Sequence, residues 1–163
     1  MLKIRAKKVV IATGAIERPL IFSNNDRPGI ILSSSIKKYI DYYGVKTGES
    51  ISLFTNNDSA YETAISLNKS GVKVKVIIDI RENSNSILSQ KIEKTGIKIL
   101  RGYTITNTDG YKRINSIEVM KLSKDGGSVV GNKITYKCDC LGISGGWTPV
   151  SYTHLTLPTN LSV

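Results

Sequence analysis

The chain has 163 residues, of which 40% are hydrophobic and 22% charged, and its formal net charge is +10. These proportions are typical of a folded globular domain and exclude a disordered chain. No apolar run reaches the roughly 20 residues that span a bilayer, and the start lacks a signal-peptide pattern, which together favour a cytoplasmic location.

The positive charge is better explained by a lysine-rich solvated surface than by a nucleic-acid-binding face. Lys73 and Lys75 alternate with apolar residues in a predicted strand, and Lys37 and Lys38 lie on a predicted helix. No aromatic side chains accompany these lysines to stack on bases. We therefore expect no nucleic-acid partner.

The two cysteines do not indicate a metal or redox site. Cys138 and Cys140 are separated by one residue, which is neither the spacing of a CxxC redox motif nor that of a zinc-ligand pair. Two buried thiols are the simpler interpretation. No catalytic dyad or triad is visible either, so neither catalytic nor metal-binding residues are predicted.

The predicted elements alternate between strands and helices before they give way to strands alone. The pattern predicts strands at 9–12, 51–54, 72–78, 97–100 and 138–143, helices at 33–43, from 59 and at about 86–95, and strands with alternating polarity at 103–107, 114–122 and 129–137. This order predicts an α/β fold of the doubly wound kind, with a βαβαβ unit and an antiparallel β-meander. Serines at 33–35 are predicted to cap one helix, and Ser59 with Glu62 forms a predicted capping box for the next.

Two glycine-ended strands suggest where a ligand binds. Thr13, Gly14 and Ala15 follow the first predicted strand, and Gly145 and Gly146 follow the last. Open α/β sheets bind ligands at the carboxyl ends of their strands, and small residues there let a nucleotide approach the backbone. We therefore predict that these five residues border a dinucleotide.

The same pairing of strands predicts one nucleotide-binding domain interrupted by another. Residues 1–47 are expected to be the C-terminal part of a first dinucleotide-binding domain, and residues 48–137 an inserted nucleotide-binding-like domain with its meander. Residues 138–150 are expected to return to the first domain. The stretch 151–163 is predicted to be foreign to the fold, because it resembles a translated sequencing-adapter read-through.

The inserted unit is predicted to carry a degraded or specialised phosphate-binding loop. The glycine positions of the G-x-G-x-x-G fingerprint fall on Thr55, Asn57 and Ala60. Asn57 is a candidate cofactor contact because asparagine tolerates positive φ, whereas the carboxylate of Asp58 competes with a pyrophosphate at the helix N-terminus. Asp79 fits the ribose-binding acid of the fingerprint, although a solvated residue at the end of a strand explains it equally well.

Four motifs together resemble the alpha subunits of heterotetrameric sarcosine oxidases. They are the ATGAIERP element at 12–19, NNDRPG at 24–29, TNNDSAY at 55–61 and SGGWTP at 144–149. The resemblance covers nearly all of residues 3–149. The alpha subunits of opine and proline dehydrogenases are similar at the first motif and less so at the second.

The resemblance implies a FAD/NAD(P)-binding, disulfide-reductase-like fold and an oxidoreductase that oxidises a methylated amine or amino acid. Such alpha subunits bind NAD, help to hold FMN at the interface with a beta subunit, and assemble with beta and smaller subunits. The amine is oxidised in the beta subunit, and the family's glycine-rich fingerprint is expected before Met1. The chain is therefore expected to be an inactive fragment on its own.

Two alternatives remain open from the sequence. One is the alpha subunit of an opine or proline dehydrogenase. The other is a non-catalytic assembly module whose inserted nucleotide fold is vestigial, for which the missing glycines at Thr55 and Asn57 are the best support. The sequence does not decide whether NAD or FAD binds.

Overall fold

The structure is a computed structural model that describes residues 5–8, 10 and 12–150. Its strands are β1 (Ala15–Glu17), β2 (Ile30–Leu32), β3 (Ser50–Thr55), β4 (Lys73–Asp79), β5 (Ile99–Arg101), β6 (Tyr103–Asp109), β7 (Ser116–Leu122), β8 (Val129–Lys137), β9 (Cys140–Ser144) and β10 (Trp147–Pro149). Its helices are α1 (Ser33–Asp41), α2 (Ser59–Lys69) and α3 (Ile87–Glu93). The chain divides into two compact units, Met1–Ile16 with Trp147–Val163, and Glu17–Gly146.

The larger unit is built on a five-stranded parallel sheet. Its strand order is β2-β9-β3-β4-β5, and all four neighbouring pairs are parallel. The predicted βαβαβ unit is confirmed as β3-α2-β4-α3-β5. The predicted meander is confirmed as the antiparallel sheet β6-β7-β8.

Alternate residues of the parallel strands contribute to two separate cores. In β3, Ile51 and Leu53 pack with the helices, where Ile36, Ala64 and Leu67 are also buried. Phe54 belongs to the other core, which contains residues of the meander such as Ile105, Ile117 and Val119. The two-residue period of a strand thus places helices on one face of the sheet and the meander on the other.

The strand β9 lies inside the parallel sheet, between β2 and β3. Its residue Leu141 pairs with Ile30 on one side and with Ser52 on the other. The expected boundaries at 47/48 and 137/138 therefore do not coincide with a break in this sheet. The strand predicted at 9–12 is wrong for the residues that are described: residues 10 and 12 lie in no strand, and the first strand begins at Ala15, so Gly14 precedes a strand and does not follow one. The division into a first domain and an insert stays a prediction. The expected foreign tail at 151–163 lies outside it as well.

Gly142 in β9 makes room for the packing of α1 on the sheet. A Cβ atom at this position would lie 2.6 Å from Leu53 Cδ2 and 2.7 Å from Ile36 Cδ1, both in fully buried side chains. Protein interiors have no free volume to absorb such an approach. The absence of a side chain at Gly142 is thus a packing requirement.

We expect Gly142→Val to destabilise the protein by about 1–3 kcal/mol through overpacking of this core. The matched control is Gly127→Val in the β7–β8 turn, where the nearest atom to a new Cβ is 3.5 Å away. Urea unfolding followed by circular dichroism measures both. Equal midpoints for the two variants would contradict the role given to Gly142.

Both predicted helix caps are wrong. The N-cap residue of α1 is Leu32, and Ser33 uses its hydroxyl to donate to Thr63 Oγ1 at 2.9 Å. The first turn of α1 is satisfied from outside the helix, because the Ser34 N–H donates to the carboxylate of Glu17 at 2.9 Å. The N-cap residue of α2 is Asp58, which makes no side-chain cap bond.

The smaller unit contains Ala15 and Ile16 of β1 together with β10. The strands β1 and β10 form a two-stranded sheet. Beside it, the Val150 N–H donates to Gly14 O at 2.9 Å, and the hydroxyl of Thr13 donates to Val150 O.

Candidate functional site

The carboxyl ends of β3, β4 and β9 form the edge of the sheet where the sequence predicts the phosphate-binding loop. Thr55, Asp79 and Ser144 end these three strands, and all three are fully buried. The register pairs Thr55 with Asp79 on one side and with Ser144 on the other. The β3–α2 loop therefore starts in the middle of this edge, as a phosphate-binding loop would.

The side chain of Asn57 fills the space between the ends of β3 and β9. Its Nδ2 donates to Ser144 O at 3.2 Å and to Ser144 Oγ at 3.0 Å, and its Oδ1 accepts the Ser59 N–H at 2.9 Å. The backbone of the loop is fixed by Thr55, whose Oγ1 accepts the Asn57 N–H at 3.0 Å. Asn57 Oδ1 thus takes the place of an external anion at the first turn of α2.

Asp79 is a buried carboxylate with four hydrogen bonds from its own chain. Its Oδ1 accepts the backbone N–H of Arg81 at 2.9 Å and the Nε–H of Arg81 at 3.1 Å. Its Oδ2 accepts Arg81 Nη2 at 2.8 Å and the hydroxyl of Tyr61 at 2.6 Å. The carboxylate is fully buried. Both of its oxygens accept hydrogen bonds from the chain at the position where the sequence predicts a ribose hydroxyl.

Arg81 connects the two acidic residues of this edge. Its Nη2 also donates to Asp58 Oδ1 at 2.6 Å, so a single guanidinium bridges Asp58 and Asp79. The hydrogen bond to Asp79 is the main cause that raises the pKa of Arg81 above its ordinary value. Burial, with the bond to Asp79, raises the pKa of Tyr61 to about 12. The cluster therefore holds a protonated phenol and a fixed guanidinium at neutral pH.

The residues at this edge do not fit a dinucleotide. Two carboxylates share one guanidinium, which leaves a formal negative charge at the position expected for a pyrophosphate. Such a charge repels phosphate, and Asn57 already satisfies the helix end. Side chains of the chain itself occupy this edge, and we call it the closed edge.

Gly145 and Gly146 follow β9, and the backbone geometry at each position favours glycine. A Cβ at Gly145 would lie 2.9 Å from Arg18 O, because the Gly145 N–H donates to that oxygen at 2.7 Å. The Arg18 N–H in turn donates to Gly146 O at 2.8 Å, and Gly146 has a φ of +92°. Close backbone approach and a left-handed conformation account for both glycines without a ligand.

Thr13, Gly14 and Ala15 are exposed, and their surroundings differ from those of Gly145. Gly14 has a φ of +80°, and no atom lies within 4 Å of the position that a Cβ would take. The bare backbone at Gly14 is thus open to an approaching group. Among the predicted site residues, Gly14 thus differs from Asn57 and Asp79, whose polar atoms are bonded within the chain.

The NNDRPG motif is structural in this unit. Asn24 Nδ2 donates to Asn107 Oδ1 at 2.9 Å, and Asn24 O accepts the Thr108 hydroxyl at 3.0 Å. The Pro28 and Gly29 carbonyl oxygens accept N–H groups from Ile114 and Leu141. The motif therefore ties the meander to the parallel sheet.

Other site chemistries find no support in the described ranges 5–8, 10 and 12–150. They contain no group of three or more histidine, cysteine, aspartate or glutamate residues placed to hold a metal ion. Cys138 and Cys140 are buried free thiols, as predicted, and burial raises the pKa of Cys138 to about 11. No helix in those ranges is long and apolar enough to cross a membrane.

Comparison with curated proteins finds sarcosine oxidase alpha subunits. The subunit from Corynebacterium sp. (strain U-96) is 38% identical over 151 residues, which are 93% of this chain and 15% of that protein. The subunit from Rhizobium meliloti (strain 1021) is 35% identical over 148 residues, which are 91% of this chain and 14% of that protein. The chain thus spans about a seventh of the length of these relatives. No family model matches.

Comparison with solved structures identifies the fold. Thioredoxin reductase from T. acidophilum superposes with a TM-score of 0.64 at 18% identity, over 84% of this chain and 43% of that one. L-proline dehydrogenase from P. horikoshii superposes with a TM-score of 0.56 at 20% identity, over 88% of this chain and 22% of that one. The resemblance recognised in the sequence is confirmed: the chain is a homologue of one segment of sarcosine oxidase alpha subunits and has the fold of FAD/NAD(P)-dependent disulfide oxidoreductases.

Proposed function

We propose that this chain is part of the alpha subunit of a sarcosine-oxidase-type oxidoreductase that oxidises a methylated amine or amino acid. The observation that carries the proposal is the 38% identity to such a subunit over 93% of the chain. The complex is cytoplasmic in this proposal, contains beta and smaller subunits, and holds FMN where the alpha and beta subunits meet. Amine oxidation takes place in the partner subunit, so this chain contributes no catalytic residue.

Substrate oxidation by the assembled complex tests this proposal. A complex whose alpha subunit carries this segment is expected to oxidise sarcosine, as measured by substrate-dependent oxygen uptake, with L-proline supplied in parallel. Oxidation of L-proline without oxidation of sarcosine would replace the proposal by the proline dehydrogenase alternative, whose fold this chain shares.

The dinucleotide, NAD or FAD, lies against Thr13, Gly14 and Ala15 in this proposal. The supporting observation is the open space around the left-handed backbone of Gly14. Asn57 and Asp79 instead serve the closed edge of the larger unit, because their polar atoms are bonded within the chain. Contacts from Gly145 and Gly146 remain a separate prediction.

Gly14→Val should abolish retention of the dinucleotide in a subunit that carries this segment, because a branched side chain would occupy the open space. Gly126→Val is the matched control. Gly126 also has a positive φ, +70°, and no atom within 4 Å of a new Cβ, but it lies in the β7–β8 turn. Backbone strain is therefore similar in the two variants. Nucleotide released from the denatured protein is measured, and equal content in both would reduce Gly14 to a turn residue.

A second candidate function is favoured by the closed edge: the inserted fold serves assembly and binds no nucleotide. We expect the 163-residue chain alone to show no micromolar affinity for NAD or FAD in a calorimetric titration. The reasons are the negative charge left on the Asp58–Arg81–Asp79 cluster and the occupation of the loop by Asn57. A saturable micromolar isotherm that Asp58→Asn alters would show that the edge opens to a ligand.

A further inference from the structure

Three lysines gather at the edge of the sheet opposite to the closed one. Ser50 and Lys73 begin β3 and β4, so they mark the amino ends of these strands. An open cavity of about 440 Å³ lies there, and its lining includes Lys73, Lys75 and Lys137. The first two come from β4 and the third from the end of β8. We call these three residues the lysine cluster.

None of the three lysines forms an ion pair within the described part of the chain. All three side chains are exposed. This contrasts with Lys37 and Lys133, which pair with Asp41 and Glu118. Three like charges around one cavity repel each other, and a bound anion would remove that repulsion.

The single carboxylate in the lining, that of Asp139, accepts hydrogen bonds from the backbone. Asp139 Oδ2 accepts the Glu49 N–H at 2.8 Å, and its Oδ1 accepts the Ser50 N–H at 2.9 Å. It thereby ties the start of β3 to the residue before β9. With Asp139 counted, the lining still carries an excess of two positive charges.

Two polar groups of the lining also have hydrogen-bonding capacity to spare. The buried hydroxyl oxygen of Ser50 has no hydrogen-bond partner among the described residues. Asn115, which precedes β7, adds an exposed side-chain amide. Ammonium, hydroxyl and amide groups all donate hydrogen bonds, and all suit an oxygen-rich anion.

We propose that this cavity is a binding site for a compact polyanion, a molecule bearing several phosphate or carboxylate groups. Its volume is within the range of small-molecule sites, about 300–1,000 Å³, which suits an organic phosphate or polycarboxylate. The site lies at the amino ends of β3 and β4, so it is distinct from the carboxyl edge that nucleotide-binding sheets use. The sequence does not reveal it, because Lys137 is far along the chain from Lys73 and Lys75.

The test is a calorimetric titration of the full 163-residue chain with pyrophosphate and, separately, with citrate, at low ionic strength. We expect saturable binding of at least one of them, and at least a tenfold loss of affinity in Lys73→Gln/Lys75→Gln/Lys137→Gln. The two probes distinguish phosphate from carboxylate as the preferred group. The binding should weaken with added salt, as screening requires.

The control variant removes the same charge elsewhere. Lys69→Gln/Lys91→Gln/Lys94→Gln changes three exposed lysines at the ends of α2 and α3 and is expected to bind as the parent chain does. The absence of saturable binding by the parent chain would overturn the proposal. Equal losses in the two triple variants would overturn it as well, because they would show attraction to the net charge of +10 and not to this cavity.

Discussion

Replacing Arg81 with methionine should lower the melting temperature by roughly 6–12 °C. The substitution removes two of the four hydrogen bonds that Asp79 accepts, those from Arg81 Nε and Nη2. Among the described residues it also removes the one cation within ion-pair distance of this carboxylate. A buried charge left without its partner costs about 3 kcal/mol or more. Each kcal/mol corresponds to about 2–4 °C for a domain of this size.

Lys37→Met is the control for this prediction. Lys37 lies in α1 and pairs with Asp41, and both side chains are 39% exposed, so the pair lies at the surface. Surface pairs contribute about 0–1 kcal/mol, and the melting temperature should fall by no more than about 4 °C. Asp79→Asn/Arg81→Met should recover part of the loss, because the uncompensated charge is removed. Equal losses in the Arg81 and Lys37 variants would show that Asp79 does not depend on Arg81.

The second large effect is a loss of stability at alkaline pH that depends on Tyr61. Its pKa is about 12 in the folded protein and about 10 in an unfolded chain, so folding favours the neutral phenol. Below pH 10 the phenol is protonated in both states, and its contribution is complete. Between pH 10 and 12 the unfolded chain loses the proton first, and the free energy of unfolding falls by roughly 3 kcal/mol.

Urea unfolding between pH 8 and 12 measures this effect as the difference between the parent chain and Tyr61→Phe. The variant lacks the phenol and should lose correspondingly less stability over that range. Tyr111→Phe is the control, since Tyr111 is 94% exposed and its replacement should leave the whole decline in place. Parallel pH profiles for the parent chain and Tyr61→Phe would contradict the role of the buried phenol.

Local patterns in the sequence were sufficient for most of the fold. The alternation in 103–137 and the apolar runs at 51–54 and 72–78 depend on neighbouring residues alone, and they predict the meander, β3 and β4. The position of β9 could not be read in this way. A short apolar strand fits any place in a parallel sheet, and its two partners begin 110 and 90 residues earlier in the chain, at Ile30 and Ser50.

The candidate site was predictable only in part, for the same physical reason. The sequence pattern placed Thr55 and Asp79 at the ends of neighbouring strands, as the structure does, but it did not indicate the partners that bind them. Asn57 is bonded to Ser144, 87 residues away, and Asp79 to Tyr61, 18 residues away. Arg81 was a visible signal, because it lies two residues after Asp79 and can fold back on it. Neighbouring residues gave no indication that the carboxylate of Glu17, and not a serine, accepts a hydrogen bond from the first turn of α1.

The place of β9 between β2 and β3 has a consequence for how the chain folds. During synthesis, β2 and β3 are complete long before β9 leaves the ribosome, and each of them then has an edge with unpaired N–H and C=O groups facing the gap. Contacts between residues so far apart in sequence raise the contact order, and closing the intervening loop costs entropy before the pairing can reward it. Folding should therefore be slow, with the half-built sheet as the species most prone to aggregate. The unpaired edges of β2 and β3 are covered only when Cys140–Ser144 pairs with both strands.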